Sequence, residues 1–438
     1  MPVLKPLAWI SLVGAAALAM ACSGPTAPSE AVVDGDGTPG AVEDASRFDR
    51  IEPLVLPSGT PAAQPDLVAA PDGVWLLSWI EAVGDDETPA HRLRFSRADA
   101  GADWSAPRTV AEGDNWFVNW ADTPHLYALP DGSLWAHWLR STGPSRMDYG
   151  IDLVRSDDGG ATWSAPQLVH LADSLGDHGF VSLWPQADDT LGIAWLDSRQ
   201  KAAAGVTGHD DGHHGGGAAM MLWAATYDAG ATQTAEWPLD VSTCDCCTTD
   251  AAVTDRGPVV VYRGRTAEEV RDTRIVRFEN GAWTAPHDVH TDGWVMPGCP
   301  VNGPVIEARG NAVWVAWFTM ADGEPEVRLA RSDDAGDGFA APLTVARGPA
   351  VLGRAAMALA GDRLLVAWLE EGDTQSLQLA VYDADDLAAE PLRSQVATLS
   401  VRGRASGMPR LAVQGDEARL VWTDVVDGRS VLGGLRIH

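Results

Sequence analysis

Beyond residue 47 the chain repeats one pattern of apolar and polar positions. Each unit reads as an apolar strand, an Asp/Gly turn, a second strand carrying Trp, a loop, a third strand and a polar turn. The first unit spans 65–67, 74–81 and 93–110, and the second spans 120–129, 134–140 and 151–169. The third takes 180–186, 191–197 and 220–227, and the fourth 249–253, 258–263 and 274–278. The fifth takes 301–308, 312–319 and 326–332, and the sixth 355–360, 363–370 and 377–382. The seventh, at 409–413, 418–424 and 431–437, stops after three strands. One strand without a partner, 50–56, precedes the first unit and is placed to complete the seventh, leaving no free sheet edge.

The turn after the third strand has its fullest form at Ser156-Asp157-Asp158-Gly159-Gly160-Ala161-Thr162-Trp163, followed by Ser164-Ala165-Pro166. A carboxylate at Asp158 suits the N–H groups of its own turn, and glycine supplies positive φ. Trp163 then offers a large apolar side chain to a seam between sheets. Shorter versions recur at 99–107, 280–286 and 332–342. These stretches resemble the Asp-box, or BNR repeat, of sialidase-like β-propellers. The resemblance implies an all-β propeller; the repeat count makes it seven four-stranded blades closed by the N-terminal strand. Sialidases of this repeat family are usually six-bladed, and because the sixth unit lacks a good box, six blades is the alternative.

Composition adds compartment and excludes partners. The chain has 31 basic and 61 acidic residues, a formal charge of −30, and 19 Trp that strands sharing a seam would use. Such a charge repels nucleic acid and anionic lipid. Lys5 precedes an apolar run at 7–20 that ends Leu18-Ala19-Met20-Ala21-Cys22. This resembles a bacterial lipoprotein signal with Cys22 as the acylated residue. Residues 1–22 are then the signal, 23–47 a Pro/Gly/Ser-rich tether and 48–438 the propeller, which the resemblance places on the outer membrane through the lipid alone.

In a propeller the starts of first strands and the ends of second strands share one face, opposite the boxes. Here that face collects Asp66, Arg140, Asp197, Arg199, Arg263, Arg265, Arg354, Glu370, Arg410 and Asp424, a set suited to a glycan or another small polar ligand. It also collects Cys244-Asp245-Cys246-Cys247 and, in the next loop, Cys299. Four cysteines remain if Cys22 is acylated. They read either as two disulfides or as a thiolate site for copper(I) or zinc, with His178, His209, His213 and His214 as further donors.

The sialidase resemblance implies three arginines gripping a substrate carboxylate, an Asp acid/base and a Tyr–Glu nucleophile. Arg140, Arg199, Arg263, Arg265, Arg354 and Arg410 supply more than enough guanidinium groups, Asp66 the acid/base, and Glu81, Glu370 or Asp424 a partner carboxylate. Tyr262 is the one nucleophile in place, and its blade is early for the role. The Arg-Ile-Pro motif of such enzymes is matched only by Arg50-Ile51-Glu52-Pro53, with an extra residue. Over the mature chain, C-D-C-C-x-x-D, W-L-D-S-R and G-C-P-V-N-G-P resemble bacterial envelope proteins called sialidase-like without an assigned reaction. Three functions therefore stand: glycan recognition with or without sialidase turnover, metal binding, and a protein-interaction scaffold.

Overall fold

Each repeat unit folds as an antiparallel meander because its apolar runs alternate with turns whose glycines take positive φ, as at Gly73, Gly132 and Gly310. The computed structural model describes residues 50–84, 90–171, 174–187, 189–203 and 219–438. These form seven antiparallel blades of a β-propeller. The innermost strands are Ala63–Ala69, Leu126–Ala128, His178–Ala187, Asp250–Thr254, Val305–Arg309, Val351–Ala360 and Arg410–Gln414, in blade order. Blade four splits its outer strand into Ala282–Trp283 and His287–Asp288. Helix among the described residues is limited to Arg199–Ala203 and a 3-10 turn at Gly403–Ser406.

The N-terminal strand closes the ring. Ile51–Pro53 pairs antiparallel with Arg429–Ile437, Ile51 opposite Ile437, and Leu54 N–H continues the ladder to Gly434 O. The six-blade alternative is thereby corrected to seven. The sixth unit forms its turn without a full box, with Asp383 Oδ1 accepting the N–H groups of Asp385 and Asp386.

Second strands lie between neighbouring blades and are buried on both faces, which is why they read as near-continuous apolar runs. They carry Trp75, Trp79, Trp135, Trp138, Trp195, Trp314, Trp317, Trp368 and Trp422, with Tyr262 in that layer of blade four. The box turn does what its sequence predicts. Asp158 Oδ1 accepts the N–H groups of Ala161 and Thr162 at 2.9 Å, and Ser156 Oγ accepts that of Gly160 at 2.8 Å. Trp163 meets Phe95 of the preceding blade edge-on at 5.9 Å. The outer strand begins at Gln167, directly after Pro166, whose ring nitrogen has no N–H for the ladder.

On the opposite face the blades are laced together where the inner strands begin. Gln64, Phe180 and Arg354 take left-handed backbone there, with φ of 57°, 54° and 52°. Their N–H groups are held by Thr423 Oγ1, Asp122 Oδ1 and Asn302 Oδ1 from neighbouring segments.

Candidate functional site

Most charged residues expected at this mouth are engaged in holding it together. Because i and i+2 share one face of a strand, three carboxylates at second-strand ends sit beside a Trp two residues earlier. Glu81, Asp197 and Glu370 accept the indole N–H of Trp79, Trp195 and Trp368 at 2.8, 2.8 and 2.9 Å. Asp424 accepts the N–H groups of Ser400 and Val401. Asp66 is buried, accepts Leu126 N–H at 3.0 Å and lies 3.3 Å from His125 and 3.8 Å from Arg410.

The arginines are divided among separate partners. Arg140 makes a two-pronged pair with Asp152. Arg199 pairs with Asp197 and Glu236 and stacks on Trp223 at 3.7 Å. Arg354, over Trp120 at 4.6 Å, donates to Gly403 O and Ser406 Oγ; burial pushes its pKa down to about 10. Arg410 donates to Thr123 Oγ1. Arg263 is 1% exposed and donates to the carbonyls of Asn302, Arg271 and Phe318. Tyr262 is fully buried and donates to Asp240 at 2.6 Å, and burial beside that carboxylate raises its pKa far above the ordinary range. A hydroxyl so placed is closed to substrate.

The cysteines, in contrast, converge. The outer strand of blade three, Gln233–Thr243, ends directly at Cys244, whose N–H donates to Arg263 O at 2.9 Å. This fixes the Cys244–Cys247 loop against blade four. The Cys244 sulfur lies 3.4 Å from that of Cys247 and 3.9 Å from that of Cys246, and all three lie within 4.8 Å of one another. These three are buried free thiols; Cys299 is an exposed free thiol on the neighbouring loop, whose Gly303 packs against Thr248. Hydrogen bonds from Cys246 and Cys247, then the charges of Arg271 and Arg263, hold the Cys244 pKa well below the usual thiol value. The contact with Cys244, together with burial, pushes Cys246 up. Met220 and Met408 belong to the packed group around the trio.

A charged collar surrounds these sulfurs. Lys201 Nζ is 2.7 Å from Asp245 Oδ2, and Arg265 reaches Asp245 at 3.5 Å and Glu269 at 2.6 Å. Arg271, 4% exposed, pairs with Glu269 through Nη2 at 2.5 Å. Its Nε and Nη1 are buried without an acceptor among the described residues. Arg271 and Glu269 carry no sequence signal, because both lie in an ordinary polar loop. Asp245 stands inside the cysteine motif.

His178 is corrected as a thiol-site donor. Its Nδ1 faces the carbonyls of Tyr149 and Gly176, its Nε2 faces Ser174 Oγ and Asp197, and its ring stacks on His170 at 3.7 Å. His209, His213, His214 and Cys22 lie outside the described residues.

No family model and no curated protein matches the chain. Among solved structures it is similar to a protein of unknown function from Dyadobacter fermentans DSM 18053. That match has TM-score 0.50 and 13% identity, over 89% of this chain and 98% of that one. It is also similar to polysaccharide lyase Uly1, with TM-score 0.48 and 9% identity over 86% of this chain and 90% of that one. A Trypanosoma rangeli sialidase in complex with the inhibitor DANA gives 0.45 and 12%, over 76% and 56%. At these identities the likeness concerns the propeller fold alone, and a fold shared this widely does not name an activity.

Proposed function

We propose that the protein binds one soft metal ion, copper(I) or zinc, through Cys244, Cys246 and Cys247, with Cys299 beside them. The observation that carries this is the convergence of the three buried sulfurs within 4.8 Å. With metal–sulfur bonds of about 2.3 Å, sulfurs sharing one ion stand roughly 3.8 Å apart in tetrahedral and about 4.0 Å in trigonal geometry. The separations of 3.4 and 3.9 Å from Cys244 require only small adjustment. Charge agrees. Lys201, Arg263, Arg265 and Arg271 outnumber Asp245 and Glu269 by two, so a complex of charge −2 is neutralised here. Three thiolates on copper(I) or four on zinc have that charge.

The test is metal content by elemental mass spectrometry on the full chain purified without chelator, with thiolate–metal absorption as a second readout. About one ion per chain, lost in Cys246→Ser, supports the reading. No ion in the reduced wild-type protein, or thiol titration showing disulfides that persist, removes it.

A second reading is that the same face binds a glycan, with exo-α-sialidase turnover as its sharpest form. The guanidinium of Arg199 on the Trp223 ring, flanked by Asp197 and Glu236, favours it, since sugars pack on aromatic and planar groups. Sialoside binding by calorimetry and a fluorogenic sialoside assay decide it; neither heat nor turnover sinks it. In both readings the chain is an exported lipoprotein held to the outer membrane at Cys22, which acyl labelling lost in Cys22→Ala would support.

A further inference from the structure

We infer that Cys299 is the exchange ligand through which copper(I) passes between the buried thiols and an anionic copper–thiolate carrier. The inference rests on the metal reading above and adds direction, partner and cargo to it. Three of the four cysteines are buried, Cys246 at 8% exposed being less covered than Cys244 at 0% and Cys247 at 1%, and the fourth, Cys299, is exposed on the loop whose Gly303 packs against Thr248. Access therefore has an order. A carrier meets Cys299 first, then Cys246, and reaches Cys244 and Cys247 only behind them.

The surroundings choose the charge of the carrier. The chain as a whole is strongly acidic at −30, yet Lys201, its only lysine after residue 5, sits in the collar of the cysteine site. With Arg265 and Arg271 it makes a locally cationic approach on an anionic protein. Such a spot attracts a complex that presents the metal between thiolates and opposes a cationic one. Arg271 supplies an independent observation. Its Nε and Nη1 are buried with no acceptor among the described residues, a costly arrangement that a metal-bound thiolate relieves by accepting from them. Copper(I) fits the three buried sulfurs by themselves, whereas zinc requires the exposed fourth as a permanent ligand.

Each step exchanges one bond for another. The carrier's copper–sulfur bond breaks as the Cys299–copper bond forms, and the Cys299 proton leaves on the released carrier thiolate. In the second step the Cys299–copper bond breaks as the Cys246–copper bond forms, and the Cys246 proton passes to the freed Cys299 sulfur; Cys247 and Cys244 then displace any remaining carrier thiolates, which leave with their protons. No electron is transferred.

The experiment is anaerobic stopped-flow uptake by the full-length protein from a copper(I)–glutathione complex, followed by thiolate–copper absorption, with final stoichiometry measured separately. Cys299→Ser is expected to reach the wild-type stoichiometry at least tenfold more slowly, and Lys201→Gln to slow uptake and weaken its salt dependence. Uptake by Cys299→Ser at the wild-type rate overturns the inference, as does loss of copper at equilibrium, which makes Cys299 a structural ligand. Wild-type protein that takes up zinc but not copper(I) also overturns it while leaving the metal reading intact. Wild-type protein that takes up neither defeats the metal reading itself, before any variant is made.

Discussion

Arg263 separates a structural mouth from a ligand-gripping one, and replacing it with methionine gives opposite outcomes in the two cases. Its guanidinium donates to Asn302 O at 3.0 and 2.8 Å, Phe318 O at 2.7 Å and Arg271 O at 2.6 Å, and lies over Trp294 at 5.0 Å. Arg263→Met keeps most of the aliphatic packing but deprives three carbonyls of a donor. Each buried carbonyl left without a partner costs about 1–3 kcal/mol. Relief of the buried charge offsets several kcal/mol of that total, and breaking a buried charged contact nets a loss of about 3–5 kcal/mol. An unfolding entropy of about 2.1 cal/mol/K per residue over roughly 390 residues is close to ~0.8 kcal/mol/K, so the Tm falls by roughly 4–6 °C. Thermal unfolding followed by tryptophan fluorescence and near-UV circular dichroism measures this, and coincidence of the two probes checks that one transition is being read. A Tm within about 1 °C of wild type would refute the structural assignment. If sialoside binding disappeared at that unchanged Tm, Arg263 would be a ligand clamp instead.

Two further outcomes follow from the inner strands and the closure. Burial and the neighbouring Asp250 charge raise Glu307 to about 8, and burial raises Asp122 to about 7 and Asp250 to about 6. The folded protein therefore keeps protons that the unfolded chain releases near pH 4, so these groups stabilise it at low pH and stability falls as pH rises from about 4.5 to about 8. Glu307→Gln should flatten the fall in Tm between pH 6 and 8.5, and a slope as steep as wild type would contradict the assignment. A chain beginning at residue 58 loses Ile51–Pro53 and exposes the Arg429–Ile437 edge. It should unfold at lower temperature and self-associate in sedimentation measurements, and a monomer of wild-type Tm would mean that the closing strand contributes little.

How far each feature could be read from the sequence follows from the range of the interaction behind it. The box turn at Ser156–Thr162 was legible because every partner lies within five residues of its donor. The seven units were legible because alternation and Asp/Gly turns are local. The adjacency of the Cys244–Cys247 loop and the loop carrying Cys299 was legible at one remove, since loops leading into consecutive blades are neighbours in any propeller. The arginine-lined mouth was over-read. Sequence places Glu81, Asp197 and Glu370 at the correct end of their strands, yet it hides that each carboxylate is occupied by the Trp two residues before it.

By itself, then, the sequence determined the repeat units, the strand placed to close them, the seam-filling tryptophans and the loop that carries three cysteines, and the structure decided seven blades over six. Period-two alternation and turn chemistry act over a few residues and survive in a linear reading. Only the tertiary structure decided which charges were free. Arg263 finds its acceptors 8, 39 and 55 residues away, and His178 spends its nitrogens on Tyr149, Ser174, Gly176 and Asp197 instead of joining the sulfurs. A buried charge must be matched by whatever the packed chain brings beside it, and that match is a property of the fold as a whole.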